Sequence, residues 1–172
     1  MKDKPALLRT AHLTLRPIGD RDWQDMRALL YNTQIKKTYM IPDFAAEEDA
    51  LRLYHRFCDL SRDPGRFVYG ADCRGRLIGF INEVRVADEA IELGYVIHPD
   101  WQNRGYATEM LRAAIDALFD LGFHTVRAGF FEENAASRRV MEKSGMSATG
   151  ETEEIAYRGK THRCIYCEIR KQ

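Results

Sequence analysis

The feature that most restricts what this chain can fold into is the stretch from Ile91 to Phe119, IELGYVIHPDWQNRGYATEMLRAAIDALF. Up to His98 it alternates as a strand does. Ile91, Leu93, Tyr95 and Ile97 fall on one face, and Glu92, Gly94, Val96 and His98 on the other. From Ala107 the period changes: Ala107, Met110, Leu111, Ala114, Ile115, Leu118 and Phe119 form the single apolar stripe of a helix. The switch falls in Gln102-Asn103-Arg104-Gly105-Tyr106-Ala107-Thr108. A helix N-terminus carries unpaired backbone N–H groups and a partial positive charge, so this turn is suited to receive a phosphate. Gly105 and Ala107 keep it free of bulk, which lets a pyrophosphate approach the backbone.

The rest of the chain supplies partners for this unit. His12–Arg16 reads as a first strand closed by Pro17, and Asp20 as the cap of a helix over Trp23–Tyr31. Residues 32–44 have no sustained period and contain a proline, which predicts a loop; Glu47–Leu60 reads as a second helix. Arg66–Asp72, Arg76–Val86 and Glu89–His98 are strands joined by hairpin-length turns, an antiparallel meander. Gly122 ends the long helix and His124–Phe131 is again a strand. That strand, helix, strand order predicts a parallel pair with a right-handed crossover. Asn134 caps a helix running to Lys143 and stopped at Gly145, and strands near Ser147–Tyr157 and His162–Arg170 meet at an Arg158-Gly159-Lys160 turn. With no linker, repeat or low-complexity segment, residues 1–172 read as one mixed α/β domain.

Charge and cysteines narrow the class. The 26 basic and 26 acidic residues cancel, which argues against a general binder of nucleic acid or anionic membrane. The N-terminal segment has no apolar core of signal-peptide length and no run approaches a membrane span, so a cytoplasmic protein with free thiols is expected. Cys164-x-x-Cys167 invites a metal or redox reading, but odd spacing on a strand puts the two sulfurs on opposite faces. Cys58 and Cys73 form no second pair, so no metal site is expected.

Gln-x-x-Gly-x-Ala between a strand and a helix resembles the acetyl-CoA signature of the GNAT N-acetyltransferases. Glu132-Glu133-Asn134-Ala135-Ala136-Ser137-Arg138-Arg139-Val140-Met141-Glu142-Lys143-Ser144-Gly145-Met146 resembles that superfamily's second cofactor segment. The pair is similar to the branch containing the bacterial ribosomal-protein alpha-amino acetyltransferases, over about Leu13 to the C-terminus. The resemblance implies a GNAT-like fold whose parallel pair splays, with acetyl-CoA as cosubstrate. It implies that the backbone of Val96 and His98 contacts the pantetheine arm, and that Asn134, besides capping its helix, pairs with an amide of that arm. At the turn, the N–H groups from Asn103 to Thr108 are expected to hold the phosphates, with Gln102 and Arg104 assisting; a lone arginine is more often a solvated surface residue. A dinucleotide-binding loop is the competing reading, and the G-x-G-x-x-G spacing is missing.

Acyl transfer from a thioester needs a deprotonated amine, which a carboxylate can supply directly or through one water. Glu92 is the first candidate, because Glu-Leu-Gly-Tyr resembles the place where some family members carry a catalytic glutamate; Glu83 is the second, and a carboxylate merely paired or solvated is the alternative. Gly94 signals either a close backbone approach or relief of packing. Many family members protonate the leaving thiolate with a tyrosine where this chain has Met141. Ser137, one helical turn earlier, is suited to hydrogen-bond the sulfur, or is a plain first-turn serine. The acceptor is a primary amine, either a protein N-terminus or a small molecule such as a polyamine, amino sugar or antibiotic. Tyr31, Tyr39, Phe44 and Tyr157 are its candidate contacts by resemblance, or core. A non-catalytic acyl-CoA sensor on the same fold is the alternative of another class, and a monomer or homodimer is expected.

Overall fold

The computed structural model describes residues 3–172, so Met1 and Lys2 of the expected 1–172 domain lie outside the described residues. Eight strands form one mixed sheet: β1 (Leu8–Arg9), β2 (Thr14–Arg16), β3 (Val68–Cys73), β4 (Arg76–Ala87), β5 (Ala90–Ile97), β6 (Thr125–Phe131), β7 (Ser147–Tyr157) and β8 (Lys160–Arg170), in the order β1-β2-β3-β4-β5-β6-β8-β7. Five helices cover it: α1 (Trp23–Leu30), α2 (Ile35–Thr38), α3 (Glu47–Arg62), α4 (Tyr106–Leu121) and α5 (Ala135–Lys143). β3, β4 and β5 are the expected antiparallel meander, and β5 and β6 the expected parallel pair around α4.

The alternation of β5 separates two cores. Ile91, Leu93 and Ile97 pack with Met110, Leu111, Ala114, Ile115 and Leu118 of α4, whereas Val96 joins Met26, Leu29, Leu30, Ala50, Tyr54 and Phe80 on the face covered by α1 and α3. Each layer buries enough apolar side chain to fix the register, because a one-residue slip of β5 would exchange the faces.

Turn chemistry agrees with the sequence in most places. Arg74 and Gly75 (φ 54° and 85°) make the tight β3–β4 turn, Gly122 (φ 102°) closes α4, and the Asn134 side chain accepts the Ser137 N–H at 3.1 Å. Four expectations change. Residues 32–44 are not wholly loop, because the Asn32 carboxamide oxygen accepts the N–H groups of Gln34 and Ile35 (2.9 and 3.0 Å) and starts the single turn of α2. β1 was not anticipated; it pairs with β2 through a turn at Thr10–Leu13. Asp20 does not cap α1: a short 3₁₀ turn precedes that helix, and the Asp22 carboxylate accepts the Gly19 N–H at 2.8 Å. Finally, β8 begins at Lys160, two residues before the expected start.

Candidate active site

The parallel pairing of β5 and β6 stops at Leu93 opposite Ala128, yet β5 continues to Ile97 and β6 to Phe131. The two strands therefore part, and the gap opens into a cleft of about 990 Å³. One end is walled by the Gln102–Thr108 turn and α5, the middle by Gly94–Ile97 and Gly129–Phe131, and the other end by the α2 region, β4 and the β7–β8 hairpin.

At the turn end the chain presents its backbone. Asn103 (φ 60°) and Gly105 (φ 80°) are left-handed, and the Glu109 N–H makes its helical bond to Gly105 O at 3.0 Å. The N–H groups of Tyr106, Ala107 and Thr108 thus precede the first helical donor, Glu109, and stay free at the positive end of α4. A Cβ on Gly105 would meet nothing within 4 Å, so open space lies above it. Arg139 and Lys143 of α5 also line the cleft, facing it with Ala136 and Val140. This arrangement can hold an anion. Gln102 reaches back instead, its side-chain amide donating to Ile97 O at 2.8 Å, and Arg104 is exposed, stacked on Trp101 at 5.3 Å and bonded to Asp100 O at 3.3 Å.

In the middle, the ladder decides which backbone groups are free. The His98 N–H donates to Ile78 O of β4 at 2.7 Å, and a Cβ on Gly79 would stand 2.1 Å from Val96 O. Alternation in an antiparallel pair then turns Val96 and His98 toward β4, and Tyr95 and Ile97 toward the gap. The backbone edge expected from Val96 and His98 is displaced by one residue, because the resemblance identified the strand and not its hydrogen-bonding phase. His98 also accepts the Asp100 N–H at 3.2 Å through its ring nitrogen, and it does not line the cleft.

Two side chains meet across the gap. The Tyr95 hydroxyl lies 3.0 Å from Ser137 Oγ and 3.4 Å from Ser137 O, joining β5 to the first turn of α5. Burial pushes the Tyr95 phenol up to about 12, against the opposing effect of its bond to Ser137, so it stays a neutral donor. Met141 is fully buried in the α4-side core, where it is packing.

At the far end Glu92 faces the cleft, half-buried, with no hydrogen-bond partner among the described residues. Burial raises its pKa; the nearby Arg85 and Arg127 guanidinium groups oppose the shift and Glu153 adds to it. Glu83 is elsewhere: it is bound by Arg66 at 2.5 Å and by the Phe67 N–H at 2.7 Å, outside the cleft lining. Gly94 makes room for a side chain, since a Cβ there would stand 3.1 Å from the Tyr39 ring and 3.2 Å from Val84. Tyr39 itself donates to Asn82 at 2.7 Å. Of the four candidate acceptor aromatics only Tyr39 lines the cleft. Tyr31 packs on Phe44 with centroids 5.4 Å apart, and the Tyr157 hydroxyl donates to Lys36 O at 2.7 Å, tying the β7–β8 hairpin to α2.

Glu153, Cys164 and Tyr166 also line this end, the Tyr166 hydroxyl donating to Glu153 at 2.6 Å. Sequence reading missed them, along with Tyr95, Arg139 and Lys143. The last two were visible in the helical spacing from Ala136; Glu153 and Tyr166 carry no signal until β7 and β8 are paired. Cys164 and Cys167 enter different clusters, all four cysteines are free and buried, and no helix among the described residues is long and apolar enough to cross a membrane.

Comparison with known proteins gives these features a context. The family description "Acetyltransferase (GNAT) domain" matches residues 12–147. An uncharacterized N-acetyltransferase of Bacillus subtilis, YnaD, is 30% identical over 148 residues, covering 83% of this chain and 84% of its own. Among solved structures, a GNAT-family acetyltransferase from Bacillus anthracis superposes with a TM-score of 0.81 at 24% identity, covering 95% of this chain and 98% of its own. RimL, a ribosomal L7/L12 alpha-N-protein acetyltransferase in complex with coenzyme A, superposes with a TM-score of 0.83 at 14% identity, covering 95% and 97%. These two likenesses are of fold.

Proposed function

Since this chain belongs to the GNAT acetyltransferase family, whose members are acyltransferases, we propose that it moves an acetyl group from acetyl-CoA to a primary amine. The acceptor we favour is a protein N-terminal α-amino group. The carrying observation is the position of Glu92: a half-buried carboxylate without a hydrogen-bond partner, in the same cleft as a helix N-terminus with free N–H groups.

In this reading the N–H groups from Asn103 to Thr108, with Arg139 and Lys143, hold the pyrophosphate, and Gln102 braces the turn through Ile97 O. The backbone of Tyr95 and the Ile97 N–H, with Asn134, line the path of the pantetheine arm. Glu92 takes a proton from the acceptor ammonium, directly or through a water, and the amine nitrogen attacks the thioester carbonyl. Burial raises the Glu92 pKa, which makes its carboxylate a stronger base for that purpose. As the C–S bond breaks, the Ser137 hydroxyl donates to the thiolate; with Tyr95 as the donor of the 3.0 Å Tyr95–Ser137 pair, in which either hydroxyl can donate, the serine hydrogen is free for the sulfur. An α-amine, with a reference pKa near 8, asks less of the base than lysine near 10.4. That difference, with the RimL likeness in fold, favours the N-terminal acceptor over a side-chain amine.

The test is release of coenzyme A thiol with peptides of free N-terminus, the same peptides N-terminally blocked, and polyamines. Transfer to the free peptides alone supports the reading. Saturable acetyl-CoA binding with no turnover on any amine would instead make the chain an acyl-CoA sensor.

A further inference from the structure

Behind Tyr39 lies a second cavity of about 480 Å³, half open to solvent, between the segment 39–45, α3 and the sheet. Its walls are Leu30, Ile41, Phe44, Leu53, Phe57 and Phe80. Tyr39 and Met40 belong to this cavity and to the cleft, so the two spaces share one partition. The Tyr39 ring packs edge-on against Phe80 with centroids 5.5 Å apart, and its hydroxyl is held by Asn82, two residues further along β4 on the same face. Met40 is 53% exposed between covered neighbours, an unbranched and adaptable side chain at the entrance.

The register gives the reach. Asn82 stands opposite Gly94, and Phe80 opposite Val96, one strand repeat or roughly 7 Å away. An amine in the cleft beside Glu92 therefore has the apolar cavity within the span of a leucine or phenylalanine side chain, across the Tyr39–Met40 partition that such a side chain would have to displace. The acids at the cavity rim are already engaged. Asp43 pairs with Lys36 at 3.1 Å and with Arg158; Asp49 pairs with Arg52 and accepts the Ala46 N–H at 3.2 Å. A cationic or sugar-like group entering here would face mainly apolar side chains, with both rim carboxylates already paired, which disfavours polar occupants.

We propose that this cavity receives the apolar side chain of the acceptor, so that the enzyme selects primary amines carrying a bulky apolar group next to the reactive nitrogen. The inference rests on the reading of the cleft as the acyl-transfer site and narrows its substrate class.

The experiment compares glycinamide, leucinamide and phenylalaninamide as acceptors with acetyl-CoA. The expected result is a kcat/KM at least tenfold higher for the two bulky amides than for glycinamide. In Ala45→Phe, which fills the cavity from its exposed rim, that ratio falls toward one, while acetyl-CoA affinity by calorimetry reports on the intact fold. Equal kcat/KM for all three amides in the unaltered enzyme overturns the pocket and leaves acetyl transfer standing. No transfer to any amide or peptide overturns the acyl-transfer reading, and the pocket with it. If Ala45→Phe keeps the amide ranking but turns a dimer into a monomer in sedimentation, the cavity belongs to a self-association surface and the inference falls.

Discussion

The two ends of the cleft are built by opposite means. The turn end is made of consecutive backbone: seven residues from Gln102 to Thr108, two of them left-handed, with free N–H groups at the start of α4. The Glu92 end is made of side chains from distant segments, namely Tyr39 after α2, Asn82 and Val84 on β4, Glu92 on β5, Glu153 on β7 and Tyr166 on β8. Backbone can be aimed by a local conformation, whereas side chains converge only once the sheet order is set. The difference predicts that damage to the turn end acts through cofactor affinity and damage to the other end through rate and acceptor choice.

The largest effect that would break this contrast is at Gly105. Gly105→Glu places a carboxylate in the open space over the turn and should weaken acetyl-CoA binding at least a hundredfold in calorimetry, with circular dichroism unchanged. Gly105→Ala separates conformation from charge: at φ 80° a Cβ is strained, costing about 1–2 kcal/mol of stability, but it meets no neighbour. A Glu variant that binds acetyl-CoA normally would remove the turn from the site.

Glu92→Gln comes next and should divide the two ends cleanly. A general base contributes roughly 10²–10⁴-fold, so kcat should fall by that order while acetyl-CoA affinity stays the same. In the unaltered enzyme, activity should drop as the pH falls through the Glu92 pKa, which lies above the usual carboxylate value; the glutamine variant should lose that limb. Stability has the opposite sign. Burial disfavours the charged carboxylate, so the folded state is penalised above its raised pKa and not below the ordinary value of about 4.3. Glu92→Gln should therefore melt slightly higher at pH 7, and the gain should vanish near pH 4. A full-rate variant would transfer the base role to Glu153 or to water.

These variants follow the line between what the sequence revealed and what it hid. β3 to β6, α4 and the capped α5 were legible because each rests on local pattern, either a period or a left-handed glycine. The turn was legible for the same reason. The phase of β5 was not: Tyr95 and Ile97 turn toward the gap because His98 bonds Ile78, a fact about β4 and not about β5 alone. Tyr166 on Glu153 depends on β7 and β8 pairing across a register shift, and Tyr39 on the side chain that Gly94 lacks. The reading of Gly94 had named both a close approach and packing relief, and the neighbour is the Tyr39 ring.

Ser137→Ala is smaller and probes the middle of the cleft. One hydrogen bond to a developing thiolate amounts to about 1.5–3 kcal/mol, so kcat should fall roughly ten- to a hundredfold with acceptor KM nearly constant. Tyr95→Phe should cost less, and nothing further in the Ser137→Ala background, because Tyr95 acts through the serine. Additive losses would separate the two hydroxyls.

The smallest effect tests whether the Glu92 end is held together as its distributed origin demands. Tyr157, at the tip of β7, donates to Lys36 O at 2.7 Å and receives the Ile41 N–H at 3.3 Å, so a single hydroxyl fixes both ends of the segment that carries Tyr39 and Met40. Arg158 beside it pairs with Asp43, adding a second tie at the same point. Tyr157→Phe keeps the ring against Phe131, at 6.1 Å between centroids, and removes only the hydroxyl. The loss should be about 1 kcal/mol of stability, with the segment free to shift. Acetyl-CoA affinity should not change, because the turn at Gln102–Thr108 shares no residue with this latch. Acceptor KM should rise a few fold, and kcat should hold if Glu92 stays on its strand. A variant that loses acetyl-CoA affinity instead would mean that the two ends are coupled through the sheet, and the contrast between a local and an assembled half of the cleft would fail at its weakest point.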